Sequence, residues 1–70
     1  MIDIKFAENL RQLMKEVGVN QVKLAHDIQI SQSAVSAWLS GKKEPSIKSL
    51  WTLANYFGCT VDELIGRTEY

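Results

Sequence analysis

The stretch NQVKLAHDIQISQSAVSAWLSG, residues 20–41, contains two candidate helix starts close together. Asn20 and Ser31 are typical N-cap residues, and each is followed by apolar residues at helical spacing. We therefore predict helices over residues 21–28 and 32–40, joined by a turn of about three residues. Two helices joined so tightly must cross at a steep angle, which is the geometry of a helix-turn-helix unit.

The two faces of the helix predicted over 32–40 differ in composition. One face is apolar and is expected to pack on the preceding helix: Val35, Trp38 and Leu39 against Leu24, Ala25 and Ile28. The other face is small, polar and uncharged: Gln32, Ser33, Ser36, Ala37 and Ser40. Short side chains allow a helix to approach a surface closely. Gln can bond adenine through two hydrogen bonds, Ser can bond either a donor or an acceptor on a base edge, and Ala can contact a thymine methyl group. The alternative is an ordinary solvent-exposed face.

The rest of the chain predicts three more helices and no strands, giving an all-α, five-helix bundle in a single domain of residues 1–70. Apolar residues at helical spacing place these helices at about 4–17, 46–57 and 61–65. Gly18 and Gly58 follow two of them at positions that suit a left-handed C-cap, and Ser46 and Thr60 are candidate N-caps. Together with Val22 of the helix predicted over 21–28, the apolar stripes expected to be buried comprise Phe6, Leu10, Leu13, Met14, Val17, Ile47, Leu50, Leu53, Ala54, Phe57, Val61, Leu64 and Ile65.

Length and composition exclude several classes of function. Seventy residues leave little room for a deep catalytic cleft. A single cysteine, Cys59, excludes an internal disulfide and a cysteine-based zinc site. The sequence has no Ser/His/acid set, metal cluster or Gly-rich phosphate loop, so an enzyme is the least favoured interpretation and no cofactor is expected. No apolar run approaches the roughly 20 residues of a membrane span, and we expect a cytoplasmic protein.

The charges are balanced overall but unevenly distributed. The net charge of zero argues against a polyanionic partner and favours a second hypothesis, a protein-interaction module. However, no acidic residue lies between Asp27 and Glu44, whereas Lys42 and Lys43 fall in the loop after the predicted third helix. A polyanion could approach this part of the chain without repulsion.

These residues resemble the helix-turn-helix domain of phage repressor and Cro proteins, also called XRE-type regulators. The resemblance covers about residues 5–66. The matching residues are Gln21, Leu24, Ala25, Ser31, Trp38, Gly41, Lys42, Pro45, Ser46, Leu50, Leu53, Ala54, Asp62, Glu63, Leu64 and Gly66. The resemblance implies a lambda-repressor-like fold and a homodimer that binds a palindromic operator in double-stranded DNA, most simply as a repressor. It implies no small-molecule substrate, membrane or metal.

The resemblance also implies roles for individual residues. The residues expected to contact bases are Gln32, Ser33, Ser36 and Ala37. The residues expected to contact DNA phosphates are Gln21, Ser31, Ser40, Lys42 and Lys43. The residues expected at the dimer interface are Cys59, Val61 and Glu63.

The chain departs from the family pattern at two places. The turn after the second helix often holds a left-handed Gly, whereas this chain has Gln29, which at positive φ costs on the order of 1 kcal/mol more than Gly. The family also often pairs an Arg in the first helix with a Glu in the third. The aligned residues here are Met14 and Leu39, an apolar pair that can replace an ion pair without loss of stability.

Five residues have simpler structural interpretations. Trp38 is expected in the core and Cys59 as a partly buried small hydrophobe. Trp51 falls at the edge of a helical stripe, either as half-buried cover or at an interface. His26 and Asp27 resemble an acid-base pair, but neighbours in a helix point about 100° apart, so two exposed residues are expected.

Overall fold

The computed structural model describes residues 5–66 as five α-helices with no strand in that range. The helices are α1 (Phe6–Val17), α2 (Gln21–Ile28), α3 (Gln32–Leu39), α4 (Ile47–Phe57) and α5 (Val61–Ile65). α3 packs against α1 and α2, while α5 packs against α1 and α4. The observed fold agrees with the all-α bundle expected from the sequence. Ile4, where the first helix was expected to start, lies outside the described residues.

Side chains cap the N-termini of four helices, because the first N–H groups of a helix have no partner within it. The caps are Asn20 to the amide of Lys23 at 2.9 Å, Ser31 to Ala34 at 3.2 Å, Ser46 to Ser49 at 3.1 Å and Thr60 to Glu63 at 3.0 Å. Each of these caps was predicted from the sequence. α1 begins differently, with the backbone N–H of Lys5 donating to the carbonyl of Ile65 at 3.1 Å. The start of α1 is thereby joined to the end of α5.

The turn between α2 and α3 keeps a left-handed residue. Gln29 has φ 59° and ψ 45°, and it is the only residue other than glycine with positive φ between Lys5 and Gly66. Its backbone N–H bonds the carbonyl of His26 at 3.2 Å, and that of Ile30 bonds Ala25 at 3.0 Å. These bonds satisfy the last carbonyls of α2. The turn therefore has the geometry expected from the resemblance, with Gln in place of Gly.

All five helices contribute to one hydrophobic core. Its buried members are Phe6, Leu10, Leu13, Met14, Leu24, Ala25, Ile28, Val35, Trp38, Leu53 and Leu64. The Trp38 ring meets the Phe6 ring edge-on, with centroids 6.2 Å apart and an interplanar angle of 75°. Trp38 is thus a core residue, as predicted, and it holds the apolar face of α3 against α1. Cys59 is half-buried and packs against this core, also as predicted.

Four apolar residues expected to be buried or half-buried are exposed instead. Val17 and Ile47 are the last residue of α1 and the first residue of α4, and both are exposed. Val22 lies two positions before the buried Leu24, a rotation of about 200°, so it points away from the core-facing side of α2. Trp51 is 66% exposed rather than half-buried. It lies two positions from the buried residues Ser49 and Leu53, and two positions along a helix correspond to a rotation of about 200°. Trp51 therefore occupies the opposite face of α4 from the core.

Candidate nucleic-acid interface

α3 has one buried face and one uncharged face toward solvent. Val35 and Trp38 are buried, while Gln32, Ser33 and Ser36 are exposed and Ala37 is half-buried. Of the exposed side chains, Gln32 and Ser36 make no hydrogen bond within residues 5–66. Their donors and acceptors are therefore free to bond an external partner.

The two serines at the ends of α3 are partly engaged by the helix itself. The Ser31 hydroxyl oxygen accepts from the Ala34 amide as the N-cap, which leaves its own O–H available as a donor. The Ser40 hydroxyl donates to the carbonyl of Ala37 at 3.1 Å. Since a phosphate oxygen accepts hydrogen bonds but does not donate them, Ser40 would have to rotate away from Ala37 to bond one.

The loop after α3 folds back onto the end of that helix. Gly41 has φ 77°, and the backbone amides of Lys42 and Lys43 both donate to the carbonyl of Ala37, at 3.0 and 3.3 Å. Both lysine side chains are exposed. Lys43 and Glu44 line a groove of about 270 Å³ together with residues of α3 that include Ser33 and Ala37. The loop thus holds Lys43 beside the uncharged face of α3.

Gln21, the first residue of α2, lies at a second concavity, which is bordered by α1, α2 and the end of α3. This concavity, of about 330 Å³, is lined by Arg11, Met14, Lys15, Val19, Asn20, Gln21 and Leu39. Met14 and Leu39, the apolar pair at the family's ion-pair positions, lie together in it. Two cations of α1 therefore border the N-terminus of α2, where partial positive charge already accumulates.

Sequence reasoning missed one contact in this concavity. The Nη2 atom of Arg11 donates a 3.0 Å hydrogen bond to the backbone carbonyl of Leu39 at the end of α3. The available signal was spacing, because Arg11 precedes Met14 by three positions and so lies on the same face of α1. Glu44 was also missed as a residue bordering the face of α3.

The three residues expected at a dimer interface lie together in and after the α4–α5 connection. Cys59, Val61 and Glu63 are each half-buried. The Glu63 carboxylate accepts from the Thr60 amide at 3.0 Å, which completes a capping box with the Thr60 hydroxyl. Burial raises the pKa of the Cys59 thiol, and the negative charge of Glu63 raises it further. The thiol is therefore held in its neutral form.

Between Lys5 and Gly66, no three His, Cys, Asp or Glu side chains are arranged to hold a metal ion. Over the same residues, no helix combines the length and apolar character that crossing a bilayer requires.

Known proteins share both the sequence pattern and the fold. Residues 10–64 match the model of the helix-turn-helix family. The chain is 36% identical over 66 residues to the HTH-type transcriptional activator BcrR of Enterococcus faecalis, covering 94% of this chain and 32% of that protein. It is 27% identical over 64 residues to the cryptic phage CTXphi transcriptional repressor RstR of Vibrio cholerae, covering 91% of this chain and 58% of the repressor.

A solved structure shows the same architecture. The fold matches the crystal structure of a transcriptional regulator from Listeria innocua with a TM-score of 0.88 and 36% sequence identity. The match covers 99% of this chain and 64% of that one, so this chain spans less than two thirds of each of these relatives. By sequence pattern and fold, the chain belongs to the helix-turn-helix family of transcriptional regulators, of the phage repressor and Cro (XRE) type.

Proposed function

We propose that the chain binds a specific sequence of double-stranded DNA by inserting α3 into the major groove. The observation that carries this proposal is the face of α3 that combines exposed Gln32, Ser33 and Ser36 with no charge, on a helix anchored by buried Val35 and Trp38. A rigid helix with short polar side chains can approach base edges closely. We expect Gln32 to bond adenine through two hydrogen bonds, Ser33 and Ser36 to bond either donors or acceptors, and Ala37 to contact a thymine methyl group.

Contacts to the DNA backbone would set the register of this helix. Gln21 at the N-terminus of α2 can bond a phosphate through its amide, assisted by the positive end of the helix. Lys42 and Lys43 contribute charge from the loop beside α3. Ser31 and Ser40 complete the proposed phosphate contacts, with Ser40 exchanging its bond to Ala37 for a bond to phosphate.

The proposed functional unit is a homodimer on a palindromic operator. One helix of eight residues contacts only a few base pairs, and a second copy doubles the sequence that is recognised. The proposed interface is the α4–α5 connection with Cys59, Val61 and Glu63. Two copies related by a two-fold axis would place their α3 helices in successive major grooves, about 34 Å apart.

The proposed regulatory effect is repression. Occupancy of a promoter excludes other proteins from the same DNA, and this requires only the DNA-binding surface. The relative RstR is named as a repressor, which is consistent with this effect, whereas BcrR is named as an activator. A transcription assay on the chain's own operator would distinguish the two effects.

The experiment that tests DNA binding is the selection of bound sequences from a random double-stranded DNA pool. We expect a short palindromic consensus to be enriched at moderate salt. The competing function is a protein-interaction module, which is favoured by the zero net charge and by Ile47 and Trp51, exposed one helical turn apart on α4. A pool that shows no enriched sequence at low or moderate salt would favour that competing function.

A further inference from the structure

The C-terminal end of α3 has four carbonyl groups without partners inside the helix, as every α-helix does. Three of them accept hydrogen bonds from the backbone of the segment that follows: Ser36 from Ser40 at 3.0 Å, Ala37 from Lys42 at 3.0 Å and Trp38 from Gly41 at 3.2 Å. The fourth carbonyl, that of Leu39, accepts from the Arg11 guanidinium at 3.0 Å. Among residues 5–66, Arg11 is therefore the one group outside this local segment that completes the C-terminal cap of α3.

The part of α1 that carries Arg11 is rigid. Its neighbours Leu10, Leu13 and Met14 are buried in the core, so the α1 backbone at residue 11 is held firmly. A guanidinium donor to a carbonyl is a charge-assisted hydrogen bond, and a cation at a helix C-terminus is further stabilised by the helix dipole. The bond lies at the protein surface and links the end of α3 to the core, in addition to the packing of Val35 and Trp38.

A small movement of α3 would affect base contacts strongly. The helix has eight residues and is about 12 Å long, so a tilt of about 5° displaces one end by about 1 Å relative to the other. Hydrogen bonds to base edges tolerate only a few tenths of an ångström. Gln32 lies at the opposite end of α3 from Leu39, where such a tilt would be felt most.

We propose that Arg11 is a positioning residue for sequence recognition: by holding the Leu39 carbonyl, it fixes the angle at which α3 meets the major groove. The inference rests on the proposed function, since it assigns to Arg11 a role in the base selectivity of α3. It is distinct from a phosphate contact, which would strengthen binding to every DNA sequence alike.

Lys15→Met is a matched control for Arg11→Met. Lys15 lines the same concavity and is also a cation of α1, but within residues 5–66 it has no hydrogen bond to α3. Both substitutions remove one positive charge from the same site and replace it with a side chain of similar length. Any difference between the two variants therefore reports the bond to Leu39 rather than the charge.

The test measures the affinity of each variant for the selected operator and for random-sequence DNA, over a range of salt concentrations. We expect the affinity for random DNA to fall by the same small factor in both variants. The affinity of Arg11→Met for the operator should fall by about a further tenfold, which is the equivalent of one charge-assisted hydrogen bond. The salt dependence of its affinity should be the same as that of Lys15→Met. Arg11→Lys, which keeps the charge and a donor, should recover part of that loss.

A spectroscopic measurement on the free protein accompanies the binding assay. The Leu39 carbonyl belongs to the same peptide group as the Ser40 amide. Losing the bond should therefore shift the Ser40 amide resonance in Arg11→Met and leave it unchanged in Lys15→Met.

The proposal would be overturned if the ratio of operator affinity to random-DNA affinity were equal in the two folded variants. A salt slope smaller in Arg11→Met than in Lys15→Met would instead identify a phosphate contact. If Arg11→Met does not fold, Arg11→Lys takes its place, and unchanged selectivity with a displaced Ser40 resonance overturns the proposal. A wild-type protein that does not distinguish operator from random DNA would contradict the proposed function itself, and the inference would fall with it.

Discussion

The hydroxyl of Tyr56 in α4 donates a 2.6 Å hydrogen bond to Oδ2 of Asp27 in α2, and the Lys23 ammonium lies 3.1 Å from the same oxygen. The hydrogen bond from Tyr56 is the main reason why the pKa of Asp27 lies below its ordinary value, and Lys23 contributes next. The same bond is the main cause of a raised pKa for Tyr56. His26 lies 3.4 Å from the other carboxylate oxygen, and both His26 and Asp27 are exposed, as expected from the sequence. The contact thus joins the first helix of the helix-turn-helix unit to α4.

Tyr56→Phe should reduce stability in a pH-dependent way, since it removes this bond while keeping the ring that meets Phe57 edge-on at 5.0 Å. Because the folded pKa of Asp27 is lowered, its contribution is present above about pH 4 and is lost as pH falls through the folded pKa. Because the folded pKa of Tyr56 is raised, its contribution is present below about pH 10 and is lost as pH rises further. Denaturant titrations of both proteins across this range should show the largest difference near neutral pH. A difference that stays constant down to pH 2 would contradict the assignment.

Gln29→Gly should stabilise the fold slightly, by roughly 0.3–1 kcal/mol, because glycine adopts the observed positive φ without the steric cost of a Cβ. The gain is limited because glycine also increases the freedom of the unfolded chain. Gln29→Ala is the matched control, since it shortens the side chain but keeps the Cβ, and it should give no such gain. Urea titrations of the three proteins would measure these differences. A clear loss of stability in the glycine variant would mean that the Gln29 side chain itself stabilises the turn.

Gln32→Ala should weaken binding to the preferred operator by about 1–3 kcal/mol and relax the preference at one base pair in each half-site. The substitution removes a side chain that is exposed at the N-terminal end of α3 and leaves the Ser31 cap in place. Repeating the random-pool selection with the variant would locate the relaxed base pair. Equal weakening on operator and random DNA would exclude a base contact.

Lys43→Ala should weaken binding to all sequences alike, because an exposed loop lysine beside α3 contributes charge rather than base recognition. With roughly three phosphate-neutralising groups per subunit, namely Lys42, Lys43 and the positive end of α2 at Gln21, the wild-type dimer should show a log-log salt slope near −5, and the variant a smaller one. Affinities measured over a range of salt concentrations would give both slopes. An unchanged slope in the variant would place Lys43 away from the DNA backbone.

A dimer on a palindrome should protect two half-sites whose centres lie about 34 Å apart, one turn of DNA. Footprinting on the selected operator would reveal this spacing, and sedimentation of the complex would give the number of bound chains. Protection of one half-site by a single chain would contradict the proposed dimer.

The local features of this fold were predictable from the sequence. The caps at Asn20, Ser31 and Thr60 depend on residues within one turn of each helix start, so neighbouring sequence specifies them. The sequence left the conformation of Gln29 open, since the resembling family often has a left-handed Gly at this place but Gln itself does not favour positive φ. The burial of Trp38 followed from the apolar spacing of α3 and from the same resemblance.

The features that depend on packing between distant segments were not predictable. Exposure of Ile47, at 86%, is set by where the neighbouring helices end, which the apolar stripe of α4 does not encode. The bond from Arg11 to Leu39 spans 28 positions and ends on a backbone carbonyl, a group that every residue carries. The bond from Tyr56 to Asp27 spans 29 positions and joins two residues that neither periodicity nor a motif connects.

The two tryptophans make the chain a dual optical probe. Trp38 is 5% exposed and sits against the Phe6 ring, whereas Trp51 is 66% exposed on the far side of α4. In the folded protein, aqueous iodide should quench the emission of Trp51 and spare that of Trp38. A Trp51→Phe variant would then carry a single shielded fluorophore whose red shift reports loss of the core. A Trp38→Phe variant would carry a single solvent-facing fluorophore that responds to whatever approaches α4.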